Sequence, residues 1–191
     1  MVTKLVTELE LVGGNAALDF ANTLEGPRDG EPGEDHLREP ADLVAWAQYA
    51  GVLDDAPSTD GHVLDRARTL RAAVYDVFSA VAAGREPPAK ALEQLAGFHA
   101  EAAAHARLVP MSGRVDLTWD GDDPARVLWP LAVAAVDLLR GGPLERVKLC
   151  AECRWLFLDQ SRNRSRRWCS MNECGGRLKM RRYRARRATR R

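Results

Sequence analysis

The placement of the cysteines restricts the fold of this chain more than any other feature. All four lie in one window with the spacing Cys150-x2-Cys153-x15-Cys169-x4-Cys174, and none occurs elsewhere. Two close pairs of thiolates, separated by a spacer long enough for a hairpin, are typical of a tetrahedral zinc site. We therefore predict that these four cysteines bind one structural zinc ion, with no open position for a catalytic water.

The sequence alone leaves other states of these cysteines open. Residues 1–11 alternate charged and apolar side chains and lack the apolar core of a signal peptide, so we expect a cytoplasmic protein, where disulfides are disfavoured. Cys-x2-Cys is also a thioredoxin-type motif, so redox-active or free thiols are the alternative to zinc. No run of about 18 apolar residues occurs, and no membrane partner is expected.

The charges divide unevenly near residue 144. Residues 1–144 contain 12 basic and 23 acidic side chains, whereas residues 145–191 contain 16 basic and 4 acidic ones. Gly141-Gly142-Pro143 interrupts any regular element at this point. We therefore predict an acidic domain at residues 1–143 and a basic zinc module at residues 144–191. A basic segment of this kind is typical of proteins that bind a polyanion.

Arginine supplies most of the positive charge of the module. Four arginines lie in the loop 159–167 between the cysteine pairs, and others recur at helical spacing after Cys174, where strong helix formers follow. Because guanidinium groups suit phosphate recognition, we predict contacts with nucleic acid and expect DNA as the partner. The residues predicted to make these contacts are Arg162, Arg164, Arg166, Arg167, Arg177, Arg181 and Arg184.

The same residues permit other interpretations. The module could bind RNA or protein without reading a DNA sequence, form a solvated basic tail, or dock onto the acidic domain. Exposed Trp168 or Tyr183 would favour RNA through base stacking, whereas buried rings would favour DNA. A homodimer would suit a protein that reads paired half-sites.

The acidic domain has mostly helical patterns, so the predicted fold class is α+β, mostly α. A small strand element joins the helices, and a treble-clef-like zinc module with a hairpin and a basic helix follows. The predicted strands are 8–12, a hairpin of 107–111 with 114–119, and 155–158 in the zinc module. In the hairpin, Val115, Leu117 and Trp119 are expected to form a half-buried face. Four of the predicted helices are 15–24, 40–50, 59–83 and 88–106. A fifth, central helix is predicted to begin near 122–124 and to contain the apolar run 127–136. Pro130 is expected to bend it.

Three polar residues share one face of the first predicted helix. Asp19, Asn22 and Thr23 follow i, i+3 and i+4 spacing, and they are candidates to contact an unidentified small-molecule effector. A capped, solvated helix face explains the same spacing. No nucleophile–base pair and no open metal site is visible in the sequence, so we do not expect an enzyme.

Two segments resemble known families. Residues 150–171, which read CAECRWLFLDQSRNRSRRWCSM, resemble the CGNR zinc finger, whose signature appears here as Cys174-Gly175-Gly176-Arg177. Gly176 replaces the asparagine of that signature. Residues 13–23, GGNAALDFANT, resemble the start of the companion ABATE domain. The resemblance implies a bacterial stress-related transcription regulator that senses a ligand through its N-terminal domain and binds DNA, and thus the nucleoid, through its finger.

Overall fold

Five α-helices and two antiparallel hairpins form most of the structure, a computed structural model that describes residues 4–26, 33–55, 57–177 and 179–181. The described residues contain no helix with the length and apolar composition needed to cross a bilayer. The helices are α1 (Ala16–Ala21), α2 (Pro40–Tyr49), α3 (Gly61–Ala82), α4 (Ala89–His105) and α5 (Trp129–Gly141). The strands are β1 (Arg107–Met111), β2 (Arg114–Thr118), β3 (Val147–Leu149) and β4 (Leu156–Leu158).

Local sequence signals explain where the helices begin and end. The Asn15 side chain accepts a hydrogen bond from the Ala17 N–H at 2.9 Å and starts α1. Pro40 occupies the first turn of α2, and Asp60 caps α3 through the Val63 N–H at 2.9 Å. The predicted helices α1 to α4 are therefore confirmed, with α1 ending three residues before the predicted end at residue 24.

The apolar helix near the end of the acidic domain is also confirmed, and the bend expected at Pro130 stays a prediction. Residues Pro124–Val127 form a short 3-10 helix, and α5 begins at Trp129. Pro130 lies in the first turn of α5, where an N–H has no helical partner, so the proline is compatible with the start of the helix. α5 packs against α1 and α4 and is central to the helical part, as predicted.

The strand predicted at residues 8–12 is wrong. Residues Val6–Glu8 form a 3-10 helix, and the described residues between it and α1 form no strand. The Glu8 carboxylate accepts the Leu5 N–H at 3.0 Å, which closes the turn. Val6 and Leu9 are both 3% exposed and lie three residues apart, so one side of a helical turn buries both.

The first hairpin forms as predicted, but the side expected to be buried is largely exposed. β1 and β2 pair in antiparallel register, with Leu108 opposite Leu117. Val115 is 65% exposed and Leu117 is 37% exposed. Only Trp119, which follows β2, packs inward, and its indole N–H donates to the Ala102 carbonyl at 2.8 Å.

The second hairpin, β3–β4, packs against α1 and α3. Phe20 and Trp46 of the helical part belong to the same buried cluster as Leu156, Phe157 and the four cysteines. The cysteine segment and the helices therefore share one hydrophobic core. The boundary at residues 143 and 144 stays a prediction.

Candidate zinc centre and arginine surface

The four cysteine sulfurs form one buried cluster. Their Sγ atoms all lie within 4.8 Å of one another, and each cysteine is at most 3% exposed. The Cys153–Cys169 and Cys169–Cys174 sulfur distances are 3.5 Å and 3.7 Å. Four thiolates about 2.3 Å from a tetrahedral zinc ion lie roughly 3.8 Å apart, whereas a disulfide requires about 2.05 Å. The geometry fits zinc and does not fit a pair of disulfides.

The first cysteine pair lies in the turn between β3 and β4. The Cys150 N–H donates to the Trp155 carbonyl at 2.8 Å, and the Arg154 N–H donates back to the Cys150 carbonyl at 3.1 Å. Arg154 adopts a φ of 65°, which lets the chain reverse directly after Cys153. Both sulfurs of the pair consequently point to the same place.

The second pair lies where the last described helix begins. Residues Met171–Gly175 form a single π-type turn, and residues 176–177 and 179–181 continue as α-helix. The Ser170 hydroxyl caps this turn by accepting the Glu173 N–H at 3.3 Å. A hairpin that supplies one pair and a helix start that supplies the other confirm the predicted treble-clef-like module.

Four neighbouring thiol groups require a cation to become thiolates together. Contacts with the sulfurs of Cys150 and Cys153 raise the pKa of the Cys169 thiol, because neighbouring thiolates repel a further negative charge. Cys150, Cys153, Cys169 and Cys174 would hold a zinc ion at the centre of the cluster, and its charge would favour the thiolate form of all four. All four coordination positions are then protein sulfurs, so the zinc is structural, as predicted.

A buried carboxylate organises the loop that carries the arginines. Asp159 is completely buried and accepts hydrogen bonds from Lys148 Nζ at 2.6 Å and from the Ser161 and Arg166 N–H groups at 2.9 Å each. Burial alone would raise its pKa, but Lys148 and these hydrogen bonds hold the pKa of Asp159 well below its usual range. Asp159 is therefore ionised and fixes both ends of the loop.

Two basic side chains complete this framework from the other side. Lys148 Nζ also donates to the carbonyls of Arg164 and Arg166. Arg146 donates to the carbonyls of Asp159 at 2.8 Å and Ser161 at 3.1 Å. The backbone of the loop is thus held from within by Asp159, Lys148 and Arg146. Sequence reasoning missed this role of Asp159, although an isolated acid directly after a strand in a basic segment was the available signal.

The structure places most of the predicted nucleic-acid contacts at the surface. The exposed arginines are Arg162, Arg164, Arg167, Arg177 and Arg181. Arg166 differs, because its guanidinium lies 4.9 Å from the Phe157 ring centroid and donates to the Cys169 carbonyl. Arg184 lies outside the described residues, as does Tyr183.

Every acidic residue of the basic segment is paired with a cation. Glu152 accepts two hydrogen bonds from Arg181, at 2.7 Å and 3.0 Å. Glu145 lies 3.9 Å from Arg164, and Glu173 lies 3.9 Å from Arg177. Asp159 is paired with Lys148, so no acid of this segment is left to oppose the remaining arginines.

The polar face predicted on α1 is turned inward. Asn22 is 3% exposed, and its amide donates to the Leu156 carbonyl at 2.9 Å and accepts the Leu156 N–H at 2.8 Å. Thr23 is fully buried, donates to the Phe20 carbonyl at 2.8 Å and accepts from Arg71 at 3.2 Å. The interpretation as a solvated face is therefore wrong. The role of these residues as ligand contacts stays a prediction.

Asp19, the third residue of that face, supports the chain segment before α1. Its carboxylate accepts the Gly13 N–H at 2.7 Å, and the Gly13 carbonyl accepts the Leu158 N–H of β4 at 2.9 Å. Burial raises the pKa of Asp19 to about 6, although the hydrogen bond from Gly13 opposes this shift. A side chain at position 13 would lie 2.8 Å from the Asp19 nitrogen, so the close approach requires glycine.

A cavity of about 290 Å³ opens beside the C-terminal end of α1. Ala21, Leu24 and Ala72 provide an apolar surface, and Arg71, which is paired with Asp35 at 2.6 Å, lies in its wall. The Tyr75 hydroxyl, also in the wall, donates to the Arg154 carbonyl at 3.4 Å. Asp19, Asn22 and Thr23 are not among its lining residues.

The fold and the cysteine cluster together define a mostly helical protein with a four-cysteine zinc module. Residues 14–142 match the family model ABATE, described as "Putative stress-induced transcription regulator", and residues 146–187 match the CGNR zinc finger. The chain belongs to the ABATE family and carries a CGNR zinc finger, as its sequence motifs predict. No curated protein matches it.

Proposed function

We propose that this protein is a zinc-dependent DNA-binding regulator and not an enzyme. The observation that carries the proposal is the internally fixed arginine loop. Its backbone is held by Asp159 and Lys148, while Arg162, Arg164 and Arg167 extend into solvent. A fixed backbone that presents exposed guanidinium groups suits phosphate contacts, because little ordering of the loop backbone is left to occur on binding.

Duplex DNA is the preferred partner over RNA. Trp168 is only partly exposed, and its indole nitrogen is buried. It packs against the hydrophobic core of the module, and the Arg167 guanidinium lies 5.8 Å from its ring centroid. A ring in this position offers little free surface for stacking on an unpaired base.

The first test is the salt dependence of DNA binding. If about six phosphates are contacted, log K should fall against log salt with a slope near −5. Replacing Arg162 and Arg167 by alanine should weaken binding and reduce the slope by about 2. Arg85→Ala, at an exposed site on the helical part, is the matched control and should change neither value. A DNA affinity that changes neither with salt concentration nor when Arg162 and Arg167 are replaced by alanine would refute the proposal.

The same assay distinguishes the alternatives. Removal of zinc with a chelator should abolish DNA binding, because the loop and the last helix are positioned by the cysteines. If single-stranded RNA displaces the bound DNA more effectively than duplex DNA does, an RNA-binding module is favoured instead. Affinity for neither nucleic acid would favour a protein-interaction module.

We propose that the cavity beside α1 and α3 binds the small-molecule effector. Its volume of about 290 Å³ is near the lower end of the range of small-molecule sites, and Tyr75 and Gly26 connect its wall to the zinc module. Some metabolite fractions should change the DNA affinity of the wild type. The same fractions should leave the DNA affinity of Ala72→Trp unchanged, because the tryptophan side chain fills the cavity. An unchanged response of this variant would place the effector elsewhere.

A further inference from the structure

The cavity beside α1 and α3 has a largely apolar surface. Ala21, Leu24 and Ala72 line it together with the Tyr75 ring. Leu24 is 44% exposed and belongs to no hydrophobic cluster of the described residues. Tyr75 is half-buried and packs against the core, so its ring is a fixed part of the wall. A cavity with this surface and a volume of about 290 Å³ suits a ligand with a small apolar body.

The two cations of the cavity wall already have anionic partners. Arg71 is 4% exposed and donates to both carboxylate oxygens of Asp35 at 2.6 Å. Arg68 donates to the Leu37 carbonyl at 2.8 Å. Its guanidinium also lies 3.5 Å from Asp65 and 3.8 Å from Asp35. An anionic ligand would have to compete with these carboxylates, and breaking the buried pair of Arg71 is costly.

The acids of the wall are not balanced in the same way. Asp76 is exposed, and its carboxylate forms no ion pair or hydrogen bond with any described residue. Glu25, whose side chain is 21% exposed, lies 3.7 Å from the His36 ring. Arg154 of the zinc module approaches the wall at Gly26 but does not line the cavity. The lining residues therefore offer carboxylates to a ligand and no unpaired cation.

We propose that this cavity binds a small organic cation, an amine carried on an apolar body. The inference rests on the proposed effector site and names the chemical class of its ligand. The apolar body packs on Ala21, Leu24 and Ala72. The ammonium group lies near Asp76, where the neighbouring Tyr75 ring also attracts a cation. A carboxylate of the same size is repelled by Asp76 and Glu25.

Isothermal titration calorimetry of the zinc-loaded full chain without DNA tests this ligand class. The probes are three compounds of similar size and different charge, namely 2-phenylethylammonium, 2-phenylethanol and phenylacetate. The ammonium should bind with a Kd below about 1 mM. It should bind about tenfold more tightly than the uncharged alcohol, because two carboxylates attract it. Phenylacetate should bind more weakly than the alcohol.

Three variants locate the binding site. Asp76→Asn should weaken ammonium binding about threefold and leave alcohol binding unchanged, because an exposed carboxylate contributes modestly to an ion pair. Ala72→Trp, at an exposed position that lines the cavity, should abolish binding of both compounds. Asp137→Asn, at an exposed aspartate of α5, is the matched control and should change neither affinity.

Three outcomes would overturn the proposal. Phenylacetate that binds as tightly as the ammonium would show that the ligand class is wrong. An ammonium that does not bind at about 10 mM would show the same. Ammonium binding that Ala72→Trp leaves unchanged, in a variant with wild-type circular dichroism and zinc content, would place the cation at another site. The salt titration and the response of DNA affinity to metabolite fractions test the proposed function separately, so its failure is distinguishable from these outcomes.

Discussion

At the scale of the residue, the polar side chains of residues 13–23 all serve internal contacts. Asn15 caps α1, Asp19 holds the Gly13 N–H, Asn22 pairs with Leu156, and Thr23 accepts from Arg71. The spacing of these residues revealed that they share a face, but it did not reveal that Asn22 contacts the cysteine module. The two partners of such a contact lie about 130 positions apart in the sequence, and the spacing of neighbouring residues gives no information about so distant a partner.

Asp19 has a measurable consequence for stability. Its pKa is raised from 3.8 to about 6, so the native state binds this proton more tightly than the unfolded state does. The contribution of Asp19 to stability therefore decreases as pH rises between about 4 and 6, and the loss is complete above that window. We expect Asp19→Asn, which keeps an acceptor for the Gly13 N–H, to be more stable than the wild type by up to about 3 kcal/mol at pH 7.

Chemical denaturation of zinc-loaded protein from pH 5 to pH 7 checks this expectation. The difference between variant and wild type should grow with pH across the range. Asp137→Asn, at an exposed aspartate of α5, is the control and should change stability by less than about 0.5 kcal/mol. A less stable Asp19→Asn at pH 7 would contradict the assignment of burial as the dominant effect.

At the scale of the element, the arginine loop illustrates what charge counting misses. The acids of the basic segment are few, and they play different roles because their exposure differs. Asp159 is completely buried and fixes the loop, whereas Glu145 is 58% exposed and lies 3.9 Å from Arg164. A buried ion pair with several hydrogen bonds is costly to break, whereas an exposed pair contributes little.

Neutralising these two acids should therefore have opposite effects on DNA binding. Asp159→Asn leaves Lys148 without its counter-ion, so we expect the free energy of unfolding to fall by about 2 kcal/mol and DNA affinity to fall about tenfold. Glu145→Gln should change stability by less than about 0.5 kcal/mol and strengthen DNA binding slightly. Denaturation and fluorescence anisotropy on the same preparations measure both quantities. Equal effects of the two substitutions on binding would show that the loop needs no internal support.

Elements were predictable from the sequence where one signal dominated. Asn15 and Pro40 identify helix starts, and the cysteine spacing identifies the zinc module. The strand at 8–12 was mispredicted because charged and apolar residues alternate along this segment, as they do in a strand. In the structure one helical turn buries Val6 and Leu9 together. The strand predicted at 155–158 corresponds to β4, where Leu156, Phe157 and Leu158 form an apolar run. β3 was not predicted, because Lys148 interrupts its apolar residues. The exposed face of the first hairpin was mispredicted because alternation identifies an apolar face and not what covers it.

At the scale of the whole molecule, the helical part and the zinc module are joined by their backbone as well as by their side chains. Asn22 satisfies both polar groups of Leu156, and the Gly13 carbonyl accepts the Leu158 N–H. These contacts are buried and continue into the core that contains Phe20 and Phe157. The division into an acidic domain and a basic module therefore describes the charge of the chain better than it describes its packing.

Removing the Asn22 amide should destabilise both parts together. Asn22→Ala leaves the buried N–H and C=O of Leu156 without partners, so we expect a loss of about 2–4 kcal/mol in the free energy of unfolding. Asn163→Ala, at an exposed asparagine of the arginine loop, should cost less than about 0.5 kcal/mol. Thermal unfolding followed by far-ultraviolet circular dichroism and by zinc release should show one transition at a lower temperature. Zinc release that separates from helix loss in the wild type would contradict this coupling.

The bond between Asn22 and Leu156 also bears on how such chains diversify. A zinc module held to its neighbour by charge alone could be exchanged between unrelated proteins by recombination at a linker. Here an amide of the first helix completes the hydrogen bonding of a strand located after the whole helical part, so a transplanted module would arrive with two buried backbone groups unsatisfied. New variants with a stable module therefore need to inherit the first helix and the zinc module as a pair.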